Sequence, residues 1–581
     1  MLKNLLNRLF AFAPEPEAAP APAEVPVRAD NPARADVLVA EGNTLEDAGE
    51  LERAEALYRQ AIAAAPGHPR GHLNLGIVLA AREEAAGAIA AFERVLAIDA
   101  KHPAGNYNLA RQMVLRGDTA RALALVEEAL RARPDFPQAL ELLVRVQRDE
   151  GFADEALATL RRIVEREPEN WLHRSFELMM MNLVDDMPAP ALFRRHVEFG
   201  TALEQAVPVR FERHAPQGDP ARRLRVGYLS SDFCSHPVAF FLAPVLAAHD
   251  RTQVEVFCYS LVAKPDATTE QLRAVADHWR DVAALSDDEL ADAIHADAID
   301  VLVDLMGHSS IPRLGVFCQR PAPVQVAWLG YLNTTGLTRM DFRITDLRGD
   351  PPAVSQPLHT ERLVPLPASQ WCYPGDPAQQ MDVVPPVERN GHMTFGAFNA
   401  ALKVTPAACR RWAEVLLRVP GSRLLVGDNN AARKRAAILR EIVDAGVAAD
   451  RVEFIPRVGA DEYMALYNRV DMTFDTFPYG GGTTTLDSLW MGVPVVAATG
   501  QTPASRSAAS ILAALDLQDW IAPGVDGFVE LAVARAADRD ALRALRGALR
   551  ARLQGSLLTE LPRYTRDLEA AYRRMWLEKT A

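Results

Sequence analysis

The sequence predicts an α + α/β protein in which a solenoid of helical hairpins precedes two doubly wound lobes. Three observations carry that class. Residue types recur with a period of 34 over about residues 35–168. From Arg225 onward, short apolar runs alternate with longer helical ones. The run Asp475-Thr-Phe-Pro-Tyr-Gly-Gly-Gly-Thr-Thr-Thr-Leu-Asp487 reads as a strand end, a glycine turn and a helix start, where free backbone N–H groups suit a diphosphate.

Bulk composition narrows the function classes. The 581 residues suffice for several domains, and 49% hydrophobic with 24% charged residues is ordinary for a water-soluble chain. Sixty-three Lys+Arg against 76 Asp+Glu leave a charge of −13, which excludes a general nucleic-acid binder. Cys234, Cys258, Cys318, Cys372 and Cys409 are widely spaced, as expected of reduced thiols in a cytoplasmic protein rather than a disulfide or zinc framework. No apolar run approaches the ~20 residues of a membrane span. Residues 1–30 read as a disordered tail and an Ala/Pro/Glu linker. A partner- or membrane-touching helix over residues 1–12 is the alternative.

The repeat shows as aligned columns. Ala54, Ala88, Ala122 and Ala156 form one, Gly42, Gly76, Ala110 and Val144 a second, and Tyr58, Phe92, Val126 and Leu160 a third. Pro66, Pro134 and Pro168 mark repeat ends, with Ala100 as the exception. Small residues at a close helix crossing, a bulky neighbour and a helix-stopping proline are what stacked hairpins need. The four units resemble the tetratricopeptide repeat. Such an array presents a concave surface, so its expected partner is a protein or peptide. Pairing of two chains through the repeats is a further expectation.

Residues 169–220 read as a helical connector. In the first lobe, strands are expected at Arg225–Leu229, Val254–Tyr259, Val301–Leu305, Val324–Leu329 and Phe342–Thr345. In the second they are expected at Met393–Phe398, Arg423–Val426, Val452–Ile455, Met472–Phe474 and Val493–Ala497. Strands separated by helices imply parallel sheets, with ligand at their carboxyl ends. The proline-rich stretch Pro351–Pro386 is expected to join the lobes. Tyr564, Leu568, Tyr572 and Met575 form a packing stripe on a last helix.

Several strand-end loops carry candidate site residues. His236 follows the first strand in a cleft-facing loop, and His308 lies in a similar one. Gly330, Thr334 and Thr335 follow another strand with donors that suit a sugar or phosphate. Asn399 and Lys403 close the first strand of the second lobe, where a lysine can neutralise a leaving diphosphate. Gly482, Thr483 and Thr484 form the loop and helix start, and Asp487 lies within reach of a ribose. Ser505 and Arg506 sit in the first turn of the helix after Val493–Ala497, another place for an anion.

Together these segments resemble the protein O-linked N-acetylglucosamine transferase family, whose relatives include plant-type protein O-fucosyltransferases. The resemblance rests on Arg225-Val-Gly-Tyr-Leu-Ser-Ser-Asp-Phe233 with His236-Pro237, and on Arg320-Pro-Ala-Pro-Val-Gln-Val-Ala-Trp-Leu-Gly-Tyr331. Asn399 with Lys403, the Asp475–Asp487 loop and Ala504-Ser-Arg-Ser-Ala-Ala-Ser510 complete it. It implies a GT-B architecture, with lobes at 222–385 and 391–560 and a closing helix at 561–581. It also implies inverting transfer of a sugar from a nucleotide diphosphate to Ser or Thr of proteins, with no metal and no other cofactor. Lys403 takes the place of the family's phosphate-contacting lysine, Thr483 and Thr484 of its diphosphate-binding threonines, and Asp487 of its ribose-contacting aspartate. His236 takes that of the histidine acting as base or acceptor-site organiser. Departures fall at Ala400, at Gly482 and at Ala460, Tyr463 and Leu466, where the family carries its uracil-reading side chains. The resemblance thus implies UDP-N-acetylglucosamine as donor, with GDP-fucose, or a non-catalytic sensor of nucleotide sugars, as the alternatives.

Overall fold

A computed structural model describes residues 30–214, 219–427 and 431–580. The tail and linker expected over 1–30 lie, but for Asp30, outside the described residues. Contacts divide the chain into a repeat array, described up to Arg166, and a second body that begins at Glu167.

The array is four helical hairpins: Pro32–Asp47 with Leu51–Ala64, Pro69–Ala81 with Ala85–Ile98, Pro103–Leu115 with Thr119–Ala132, and Pro137–Asp149 with Ala153–Arg166. The columns have a direct physical meaning. A Cβ on Gly42 would stand 2.5 Å from the Tyr58 ring, and one on Gly76 would stand 2.5 Å from Phe92. In the first two hairpins the glycine of the second column is therefore the seat of the ring in the third. All four alanines of the first column are fully buried. A signal the columns missed is the proline that opens the first helix of each hairpin (Pro32, Pro69, Pro103, Pro137), where its missing N–H costs nothing.

The second body holds two parallel sheets. The first runs β3-β2-β1-β4-β5-β6-β7, with β1 Leu224–Ser230, β2 Val254–Ser260, β3 His278–Asp281, β4 Val301–Asp304, β5 Val324–Ala327, β6 Phe342–Asp346 and β7 Arg362–Leu366. The second runs β10-β9-β8-β11-β12-β13, with β8 Thr394–Ala397, β9 Arg423–Gly427, β10 Val452–Ile455, β11 Met472–Phe474, β12 Val495–Ala498 and β13 Ile521–Ala522. All ten expected strands are present. The sequence reading missed β3 (exposed His-Trp-Arg-Asp) and the two-residue β13, which make no apolar run of strand length, and β7, whose Leu363-Val-Pro-Leu366 run lies inside the proline-rich stretch read as a link. Pro351–Pro386 is not simply a link, because it contains β7, paired with β6 from Phe342↔Arg362 to Asp346↔Leu366.

Strand order reverses between β1 and β4 in the first lobe and between β8 and β11 in the second. In doubly wound sheets the crevice for a ligand opens at that reversal. The lobes are joined through buried polar contacts. Arg506 donates to Gly349 O at 2.6 Å and to Ser355 Oγ at 2.7 Å and pairs with Asp350, while Ser510 donates to Asp346 at 2.7 Å. The last helix, Leu561–Thr580, returns to the first lobe, where Tyr572 meets Tyr228 and Glu569 accepts from His249 at 2.8 Å. Tyr564, Leu568, Tyr572 and Met575 are buried, as the stripe predicts.

Connector helices Trp171–Met181 and Ala189–Ala206 dock on the first lobe through a closed polar network. His308 Nε2–H donates to Thr335 O at 3.0 Å, leaving Nδ1 to accept from Ser175 at 2.5 Å. His196 donates from Nδ1 to Leu192 O and accepts from Tyr331 at 2.6 Å. Burial holds both rings neutral, with His308 pushed down to about 3 and His196 to about 4.

Candidate functional site

The predicted residues that converge do so at the two reversals of strand order. In the first lobe, β1 leads to His236, which caps helix Pro237–Ala248 by accepting from Val238 N–H through Nδ1 at 3.3 Å. Its Nδ1 lies 3.7 Å from the Asp232 carboxylate, and the side chain is 42% exposed, so it remains open to an incoming group. With Nδ1 accepting, the neutral ring carries its proton on Nε2 and presents a donor. At the end of β4, burial pushes Asp304 up to about 6 against two backbone N–H donors at 3.0 Å, from Met306 and Gly307.

In the second lobe, the loops after β8 and β11 are built into each other. Asp475 closes β11 and accepts through Oδ1 from Gly481 N–H at 2.7 Å and from Asn399 Nδ2 at 3.3 Å. Thr484 donates to Asn399 Oδ1 at 2.6 Å. Lys403 Nζ donates to Gly480 O at 2.9 Å and stands 4.3 Å above the Tyr479 ring. The glycines are required by proximity. A Cβ on Gly480 would meet Asp475 Oδ2 at 2.7 Å, and one on Gly481 would meet Thr484 Oγ1 at 2.4 Å. Ser507 fastens the far side by donating to Gly481 O at 3.1 Å.

Helix Thr483–Trp490 starts at Gly482 with no side-chain cap, so the first-turn N–H groups stay available to an anion. Thr483 and Thr484 are half-buried there, and a small hollow lined by Phe398, Asn399, Tyr467, Asp475 and Thr485 lies against Thr484. Burial opposes both charges of the loop, raising Asp475 and lowering Lys403 from their ordinary values. Asp487, one turn on, accepts from Tyr373 at 2.7 Å, and burial pushes it up to about 7. Tyr463 and Tyr467 bond to each other at 2.7 Å beside it. Trp371 spans the lobes: its ring is 5.3 Å from Phe241 on the helix that His236 caps, and it meets the position of a Gly482 Cβ at 3.3 Å.

Six predicted residues lie elsewhere. Thr334 and Thr335 are buried, with both hydroxyls and the Thr335 N–H committed to Glu361 (Thr334 Oγ1 at 2.6 Å, Thr335 N at 2.6 Å), so they offer no free donor. Gly330 is a packing glycine whose Cβ would stand 1.9 Å from Leu305 O. Arg506 is the interlobe clamp described above. Ser505 closes a capping box with Thr502, which consumes donors expected to be free. His308 is likewise structural. Sequence reasoning assigned no role to Asp475 or Tyr373. Asp475 was signalled by its place between a strand and a glycine turn, whereas Tyr373 comes from the interlobe segment over a hundred residues earlier.

Residues 199–384 and 388–568 match the sequence profile of glycosyl transferase family 41. The chain belongs to that family. Profiles of the tetratricopeptide repeat match residues 39–103 and 113–173, supporting the reading of the array. Among family 41 relatives, the Petunia hybrida protein named probable UDP-N-acetylglucosamine–peptide N-acetylglucosaminyltransferase SPINDLY is 36% identical over 409 residues, covering 69% of this chain and 43% of its own. The Arabidopsis thaliana protein of the same description named SEC is 33% identical over 369 residues, covering 61% and 37% respectively. The chain thus spans less than half the length of these plant relatives. A solved structure of a point mutant of the Thermobaculum terrenum O-GlcNAc transferase superposes with a TM-score of 0.67 at 31% identity, covering 94% of this chain and 98% of that one. The two sheets with a preceding repeat array are the repeat-plus-GT-B layout that the sequence predicts.

Proposed function

We propose that this family 41 chain transfers a sugar from a nucleotide diphosphate to Ser or Thr hydroxyls of proteins, with UDP-N-acetylglucosamine as donor. The observation that supports the reading is the loop itself, where Lys403 is bonded to the Gly480 carbonyl and the helix that opens at Thr483 has no side-chain cap on its first-turn N–H groups. The names of the relatives and of the solved neighbour agree with it.

The acceptor hydroxyl forms a bond to the anomeric carbon as the bond from that carbon to the diphosphate breaks on the opposite face, with the hydroxyl proton passing to an oxygen of the departing diphosphate or to water, so a single displacement inverts the centre. Charge growing on the diphosphate is met by Lys403 and the helix start, which supply the positive potential for which a divalent cation is otherwise used. His236, donating from Nε2 in the first lobe, orients the acceptor. The ribose falls to Asp487, and the repeat array recruits the acceptor protein. Pairing of two copies through the repeats and a cytoplasmic location belong to the same reading, tested by mass measurement in solution and by imaging of the tagged protein.

GDP-fucose is the second donor to test, because Ala460, Tyr463 and Leu466 stand where the family's uracil-reading side chains are expected. Incubation with radiolabelled UDP-N-acetylglucosamine, UDP-glucose or GDP-fucose and a protein lysate, read as label in protein, discriminates among donors. Label from GDP-fucose alone replaces the donor assignment. Absence of label with every donor, alongside thermal stabilisation by a nucleotide sugar, leaves the sensor reading in its place.

A further inference from the structure

We infer that Asp475 is a positioning residue of the donor site, serving at once as the pin of the glycine loop and as the counter-charge that keeps Lys403 an ammonium before substrate arrives. The inference rests on the proposed transferase reading and adds to it a residue with its own task. Asp475 is 3% exposed and stands at the carboxyl end of β11. Its Oδ1 takes the Gly481 N–H and the Asn399 amide, and Asn399 in turn takes the Thr484 hydroxyl, so one oxygen sets both walls of the hollow. Lys403 is fixed to the same loop through Gly480 O, an acceptor that holds its direction but carries no charge.

The electrostatics need a carboxylate here. Burial disfavours the ammonium, and among the described residues the charged group acting in its favour is Asp475. Burial also disfavours the carboxylate, with the N–H of Gly481, then Lys403, the N–H of Thr476 and the Asn399 amide acting to keep it ionised. Each charge therefore depends on the other while the site is empty. When a diphosphate arrives, Lys403 gains a second anionic partner and needs no proton from solvent. The geometry also supplies a clean probe. Because the Gly481 N–H and the Asn399 amide both converge on Oδ1, an amide at this position retains an oxygen for them and removes the charge.

UDP binding to the full chain is measured by calorimetry from pH 6 to pH 9.5. In the parent, affinity falls on the alkaline side as Lys403 loses its proton. Asp475→Asn is expected to move the midpoint of that fall down by about one unit or more, with affinity near the parent's at pH 6 and about tenfold weaker at pH 8. An unchanged alkaline midpoint overturns the inference. Asp475→Glu keeps the charge but displaces the oxygen, and should weaken binding at every pH with the midpoint in place; a midpoint shifted as far as that of Asp475→Asn also overturns it. In a Lys403→Arg background the alkaline fall should vanish with either residue at 475, and a fall that persists there counts against the pairing. Failure of the transferase reading looks different: the parent binds UDP with the stated pH dependence but labels no protein.

Discussion

Two loops of this chain share a vocabulary and have opposite fates. Gly330-Tyr-Leu-Asn-Thr-Thr-Gly336 in the first lobe and Gly480-Gly-Gly-Thr-Thr-Thr485 in the second both offer glycines and hydroxyls after a parallel strand. In the first, the threonine hydroxyls are consumed by the buried Glu361, and the loop packs under the connector through His308 and Tyr331. In the second, the buried carboxylate of Asp475 takes a backbone N–H and a side-chain amide and leaves Thr483 open. Topology separates them as well: one follows β5, outside the reversal of strand order, and the other follows β11, at the reversal. Composition marks a loop as polar and tight, and the partner that folds against it decides whether it builds a wall or a site.

The contrast breaks most sharply at Lys403. Lys403→Ala should lower kcat/KM for protein labelling by about 10²–10³-fold while the chain still folds. Labelling at the parent rate would remove the second loop's claim. Glu361→Ala, in the first loop's shell, should do the reverse. By leaving buried hydroxyls unpaired it is expected to cost about 3 kcal/mol of stability, read by denaturant unfolding, while the rate per folded molecule is kept.

Acid sharpens the comparison further. His196 and His308 have depressed folded values, so between the unfolded value of about 6.5 and about 4 the unfolded chain binds more protons and stability falls as pH falls. Each is expected to cost about 1.4 kcal/mol per pH unit in that window. Hydrogen exchange at pH 5 should therefore loosen the connector and the Gly330–Gly336 loop before the Gly480–Thr485 loop. Equal protection of the two would count against a histidine lock. The smallest effect is at Asp487, whose folded value is raised to about 7, so its ionisation removes stability as pH climbs through that value. Asp487→Asn should raise the thermal midpoint at pH 8 by about 2–4 °C and weaken UDP binding; a lowered midpoint would show that the carboxylate is better satisfied than its single tyrosine partner indicates.

Legibility in the sequence followed periodicity. The hairpins could be read because Gly42 and Tyr58 recur in register, and ten strands because each is an apolar run between turn residues. β3 was hidden because an edge strand with exposed His278 and Asp281 has no apolar face to display. At the site, residues adjacent in sequence to a strand end (Asn399, Lys403, Gly482–Thr484) were recoverable. Arg506 was not, since its role depends on Asp350 and Ser355 meeting it from the other lobe. Tyr373 was missed for the same reason. Long-range polar pairing leaves no periodic trace.

The return of helix Leu561–Thr580 to the first lobe has a consequence for how the protein comes into being on the ribosome. Tyr228 finds Tyr572 across a sequence separation of 344 residues, so the first lobe leaves the exit tunnel with an apolar face that stays uncovered until the second lobe has been synthesised. At the elongation rates of cells that interval is on the order of tens of seconds, long enough for chaperones to engage the nascent chain and for a stalled or shortened product to aggregate through the surface the helix would have sealed.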